Sequence, residues 1–173
     1  MIAETILNLL RADRFAALRG SAVSGRLPLR EGLLNDLFTQ VRRERDLPTR
    51  RLEIRLLPDN RFTLYLQPQV GFFHPNVKLD FELSGEVDFR GDGLLTLRSL
   101  GFLGGPTAQL VRTVLLRAMK LPDPAVTVEG NTLRIHVREA LIALDAGELA
   151  DLIRVLQFTT RPGILYVLFG ISI

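Results

Sequence analysis

Between Val77 and Phe89 apolar and polar residues alternate without a break. Val77, Leu79, Phe81, Leu83, Gly85, Val87 and Phe89 hold the odd positions, and Lys78, Asp80, Glu82, Ser84, Glu86, Asp88 and Arg90 hold the even ones. A period of two predicts a half-buried antiparallel strand with one wet face. Thirteen residues at ~3.4 Å each span about 44 Å. A single domain of this size is only about 40 Å across, so the strand must run its full length or bend. Gly85, with no side chain, marks the place for a bend or bulge.

The same reading extends along the chain. Leu52, Ile54 and Leu56, then Phe62, Leu64 and Leu66, alternate on either side of Pro58-Asp59-Asn60, a turn signal. Val23–Leu29 predicts a short strand, and Leu95 and Leu97 start another after Gly91-Asp92-Gly93. Ala125–Ala143 reads as a hairpin turning at Gly130-Asn131, with Leu133, Ile135 and Val137 alternating on its second arm, and Pro162-Gly163 opens a final strand over Ile164–Ile173.

Helical spacing occurs in four places. Ile2, Ile6, Leu9 and Leu10 share a face over residues 2–18, ending at Gly20. Leu33, Leu34, Leu37, Phe38 and Val41 define a second helix, closed by Pro48. Leu110, Val111, Val114, Leu115, Ala118 and Met119 define a third, after the break Gly101–Thr107. Asp145 and Glu148 have capping-box spacing for a fourth, carrying Leu149, Leu152, Ile153 and Leu156. The expectation is one α+β domain over residues 1–173, with 1–20 as an appended helix. In it a long curved antiparallel sheet wraps around or packs on amphipathic helices.

Composition narrows the chemistry. Of 173 residues 47% are apolar and 24% charged, an ordinary globular balance. There is no cysteine, so disulfides, thiolate metal sites and cysteine nucleophiles are excluded. No apolar run reaches the ~20 residues of a membrane-spanning helix. The first residues show an early acid, Glu4, and no basic start, which predicts a cytoplasmic location rather than a secretory leader.

The histidines are His74, before a proline, and His136, on the polar side of a strand; two isolated imidazoles are a poor basis for a metal site or a general base. No Gly-x-Ser-x-Gly elbow or phosphate-gripping loop is present. The expectation is no catalytic residue, no metal and no cofactor. Asp80, Glu82, Glu86 and Asp88 form a carboxylate cluster on one strand face. Their plain reading is a solvated face paired with arginines such as Arg98 or Arg61.

Net charge is +3 and the basic residues are arginine except for Lys78 and Lys120. The densest basic stretch holds Arg42, Arg43, Arg45, Arg50, Arg51 and Arg55. It reads either as the exposed end of a helix, which basic residues suit, or as a contact for an anionic headgroup or membrane surface. Without interleaved aromatics it does not point to nucleic acid.

Three short stretches carry a resemblance. Glu31-Gly32-Leu33-Leu34-Asn35-Asp36-Leu37-Phe38 looks like the acid, Leu-Asn, leucine helix of the bacterial tubular lipid-binding (TULIP) superfamily, including its small LmeA-like phospholipid-binding proteins. Ser99–Gly105 resembles their glycine break before a helix. Leu121-Pro122, Val126–Asn131 and Leu133-Arg134-Ile135 resemble their closing strands. The resemblance covers residues 22–173 and implies a sheet curved around a helix with lipid chains held between them.

The leading expectation is therefore non-enzymatic binding of a lipid, or a fatty-acid-like apolar ligand, in a cleft between sheet and helix. Leu37, Phe38, Val41, Leu64, Leu66, Leu79, Phe81 and Leu83 would line it, and Arg42, Arg43 and Arg45 would meet the headgroup. The alternative is an interaction module with a filled core and no ligand, a homodimer through a sheet edge or the apolar Ile164–Ile173 segment.

Overall fold

The computed structural model describes residues 22–69, 75–89, 91–101, 103–143 and 146–172. The predicted helix over 2–18, His74, Asp145 and Ile173 lie outside them. The described chain runs β1 (Ala22–Arg30), α1 (Glu31–Glu44), β2 (Thr49–Leu56), β3 (Arg61–Pro68), β4 (Val77–Leu83), β5 (Glu86–Val87) and β6 (Leu94–Ser99). It continues through α2 (Gly105–Met119), β7 (Val126–Glu129), β8 (Thr132–His136), α3 (Val137–Ala143), α4 (Gly147–Leu152), β9 (Ile153–Arg161) and β10 (Ile164–Ser172). The strands form two antiparallel sheets where one was expected: six strands in the order β2-β3-β4-β6-β8-β7, and four in the order β1-β10-β9-β5. The class is α+β.

Register aligns the apolar positions of the larger sheet on one side. Leu52 faces Leu66, Phe62 faces Phe81, Leu64 faces Leu79, Leu83 faces Leu97, and Leu97 faces Leu133. Against this side α2 sets Ala108, Val111 and Val114, all buried, and α1 sets Leu34, Phe38 and Val41, partly buried. Phe62 and Phe81 stack with ring centres 5.3 Å apart. Each fully buried Leu or Phe contributes about 1.5–3 kcal/mol to keeping this layer together.

An open sheet edge invites pairing with another chain. The β2 edge is met by side chains of α1 instead. The Asn35 amide donates to the Ile54 carbonyl (3.0 Å) and its oxygen accepts from the Ile54 N–H (2.8 Å). The Glu31 carboxylate accepts from the Leu56 N–H at 2.7 Å. These two residues anchor the stretch that resembles the tubular lipid-binding helix, and here they hold backbone. At the other end of α1, Arg45 donates to the carbonyls of Arg117 (3.3 Å) and Ala118 (2.5 Å), satisfying the C-terminus of α2.

One stretch of chain passes from the larger sheet to the smaller. The alternation over Val77–Phe89 is not one strand: β4 ends at Leu83, the chain bends at Ser84-Gly85, and β5 joins the other sheet beside β9. The bend is tied down by Phe158 N–H donating to the Gly85 carbonyl (2.7 Å) and Leu83 N–H donating to the Asn60 carbonyl (2.7 Å). Asn60 and Asp59 both have positive φ, 56° and 59°, as a tight hairpin turn between β2 and β3 requires. The Asn60 side chain accepts from the Thr160 N–H at 3.0 Å, and the Thr160 hydroxyl donates to the Leu57 carbonyl at 2.6 Å. The β2–β3 turn is thus the fastening point between the sheets.

Two further expectations are corrected. The second arm of the hairpin ends at His136, and Val137–Ala143 is helical. Its partner β6 begins only at Leu94, behind Gly93 at φ 62°, so no strand is left to pair with. Ile153 and Leu156 belong to β9, not to the fourth helix, which stops at Leu152. Eight of the nine residues of β9 pair with β10, and that ladder overrides the helical spacing.

Candidate functional site

Leu64, Leu66, Leu79, Phe81 and Leu83 sit in the buried cluster of the larger sheet, with Leu66 and Phe81 only 1% exposed. Phe38 and Val41 pack against the same cluster, while Leu37 lies on the outer side of α1, 46% exposed. The structure thus brings seven of the eight expected lining residues together as core and leaves Leu37 in solvent.

The three expected headgroup residues are not equivalent. Arg42 donates to the Arg50 carbonyl and Arg45 to the end of α2, so both guanidiniums hold the fold. Arg43 is exposed. On the outer side of the larger sheet three arginines are paired: Arg51 with Glu53 (2.6 Å), Arg98 with Glu82 (2.5 Å), Arg134 with Glu129 (2.7 Å). The hydrogen bond from Arg51 holds the Glu53 carboxyl below the usual carboxylate range, and the Arg51 pKa is raised in turn. Asp80 accepts from the Thr63 hydroxyl at 2.6 Å and lies 3.6 Å from Lys78. The carboxylates at 80 and 82 are thus paired along and across the strands, and Glu86 has moved to the other sheet. Among the described residues no group of three or more histidine, aspartate or glutamate side chains could hold a metal ion.

The unexplained surface is on the four-stranded sheet. Register sets Leu29 opposite Leu165, Leu27 opposite Val167, Gly25 opposite Phe169 and Val23 opposite Ile171 on one face. The same face continues into β9 with Phe158 and Leu156. The β9 side chains and Leu165 pack on the buried clusters; Val23, Leu27, Leu29, Val167, Phe169 and Ile171 belong to neither. Val23 and Leu27 are 48% and 49% exposed. Gly25 is where a side chain has been given up: a Cβ there would sit 2.6 Å from the Phe169 ring, which lies across it. The result is an apolar shelf, one end docked on the core and the other open.

Sequence reading missed this shelf. Its signal is visible in hindsight as alternation at 23, 25, 27 and 29 and at 165, 167, 169 and 171. What could not be read is that β1 pairs with β10, which sums two modest patterns into one surface. Val23–Leu29 and Ile164–Ile173 as strands match the observed β1 and β10. β10 is interior, flanked by β1 and β9; the edge strands of this sheet are β1 and the two-residue β5.

No protein family, curated protein or solved structure matches the chain. No helix among the described residues is long and apolar enough to cross a membrane.

Proposed function

We propose that the protein binds a lipid or another long apolar molecule without transforming it, and that the ligand lies along the β1/β10 shelf rather than between α1 and the larger sheet. The observation that carries this is the row of six apolar side chains outside both buried clusters. From Val23 to Leu29 the shelf runs about 20 Å at ~3.4 Å per residue, a length suited to an acyl chain. Contiguous exposed apolar surface of this kind marks a binding site more often than chance. The resemblance of Glu31–Phe38 and Val126–Ile135 to tubular lipid-binding proteins points to the same ligand class.

The test is uptake of fluorescent fatty acids of increasing length by the full chain. Affinity should rise about fourfold per added methylene, from ~0.8 kcal/mol per buried CH₂. The double variant V23Q/L27Q should lose at least tenfold in affinity with an unchanged melting temperature. A purified protein that carries no extractable lipid and takes up no fatty acid overturns the proposal.

One observation favours a second reading. The outer edge of β1 is unpaired in the described sheet, so a second copy could add there, making the protein a dimeric interaction module. Sedimentation separates the two: a ligand-free dimer that V23Q/L27Q leaves intact, together with failed uptake, selects this reading.

A further inference from the structure

The four-stranded sheet has an opposite face built from different residues. Across β1, β10 and β9 its rows are Arg30–Ile164–Arg161, then Pro28–Tyr166–Thr159, then Arg26–Leu168–Gln157. The Arg26 guanidinium lies 3.7 Å from the centre of the Tyr166 ring and that of Arg161 lies 5.9 Å from it. At the far end the ladder skips one residue between Val155 and Ile153. That residue, Arg154, donates to the Asp151 carbonyl at 3.1 Å and lines a shallow groove at the end of the sheet, with Ser24, Gly170 and Ser172 of this face and Val23 and Ile171 of the other.

Arg26, Arg30, Arg154 and Arg161 all belong to this sheet. All are exposed, and among the described residues none is paired with a carboxylate. On the larger sheet Arg51, Arg61, Arg98 and Arg134 pair with carboxylates, while Arg50 and Arg55 are exposed with no carboxylate partner among the described residues. Here one acid, Glu86, shares the face, at its distant margin opposite Gln157. Two guanidiniums held around one tyrosine repel each other, and a ring face offsets only part of that. An oxyanion placed among them would remove the repulsion, and guanidinium matches phosphate better than ammonium does.

We propose that this face docks on a bilayer surface carrying anionic phospholipid, with Arg26, Arg30, Arg154 and Arg161 taking the headgroup phosphates. Charge complementarity selects this occupant. The basic positions lie on β1 and β9, on either side of β10. A nucleic acid would want aromatic platforms, and the one ring on this face, Tyr166, is already covered by Arg26. The inference does not depend on what the apolar shelf holds, since the two faces are on opposite sides of the sheet.

Cosedimentation of the full chain with vesicles tests it. Binding is expected to mixed phosphatidylglycerol–phosphatidylcholine vesicles and not to pure phosphatidylcholine, and it should fall as salt rises. Each arginine contributes about fivefold to partitioning, so R26Q/R30Q/R161Q should lose about a hundredfold. The charge-matched variant R43Q/R50Q/R55Q, on α1 and β2, should bind as wild type. V23Q/L27Q should also bind as wild type, so failure of the fatty-acid assay and failure here are distinguishable. The proposal is overturned by equal binding to neutral vesicles, by an equal loss in the charge-matched variant, or by release with inorganic phosphate or a single-stranded oligonucleotide at constant ionic strength.

Discussion

Asn35 decides where α1 sits. Its carboxamide replaces, for one residue, the neighbouring strand that β2 lacks, giving Ile54 both a donor and an acceptor. Asn35→Ala leaves those two backbone groups without that partner, and losing a partner at a buried polar group costs about 1–3 kcal/mol. The variant is expected to unfold at a urea concentration lower by that amount of stability, while fatty-acid uptake by the folded fraction stays at the wild-type level. The same contact explains why motif reading and structure part company here. The stretch from Glu31 to Phe38 stands out in the sequence because an acid, an asparagine and leucines recur at helical spacing. What the acid and the amide bind is the main chain at 54 and 56, and a backbone group leaves no mark in a sequence. Arg42 and Arg45 were hidden for the same reason. As charges they read as ligands for an anion; as donors they serve carbonyls at 50, 117 and 118.

At the scale of elements, the passage from β4 to β5 carries the two-sheet design. Period-two alternation runs unbroken through the bend because both sheets bury the odd positions: Leu79, Phe81 and Leu83 in the larger cluster, Val87 and Phe89 in the smaller. The pattern therefore predicts strand correctly and conceals the change of partner; Gly85 was the one visible clue. A Cβ at 85 would stand 3.1 Å from the Asn60 amide nitrogen, and that amide is what receives Thr160. Gly85→Val is expected to cost about 1–3 kcal/mol through overpacking, measured by urea unfolding. Its hydrogen-exchange signature should be concentrated at Phe158 and Thr160 rather than spread over β2 and β3. The β9 segment shows the opposite ambiguity. Leu149, Leu152, Ile153 and Leu156 satisfy a helical period, yet Val155, Phe158, Thr159 and Thr160 favour extended backbone. Pairing of eight of its nine residues with β10 settles it for strand.

The whole molecule divides into a six-stranded body covered by α1 and α2 and a four-stranded sheet fastened to it through Asn60 and Thr160. Burial differs accordingly: among the described residues of β9 and β10 Thr160 alone is fully buried, whereas β3 buries five of its eight. Opening free energies follow buried contacts. Amides of β10 bonded to β9 are thus expected to exchange with smaller protection than amides of β3 bonded to β4, in the ligand-free protein, and to gain protection when a fatty acid is added. Class and core positions could be read from alternation alone. The shelf and the arginine face could not, since each exists only once β1 has met β10. That meeting also has a consequence for biogenesis. Ala22 finds Ser172 and Arg30 finds Ile164, so the first of the described strands to be synthesised has to wait, with Val23, Leu27 and Leu29 uncovered, until almost the last of the described chain has been translated. Closure of the four-stranded sheet is thus paced by synthesis of β10 rather than by formation of the six-stranded body.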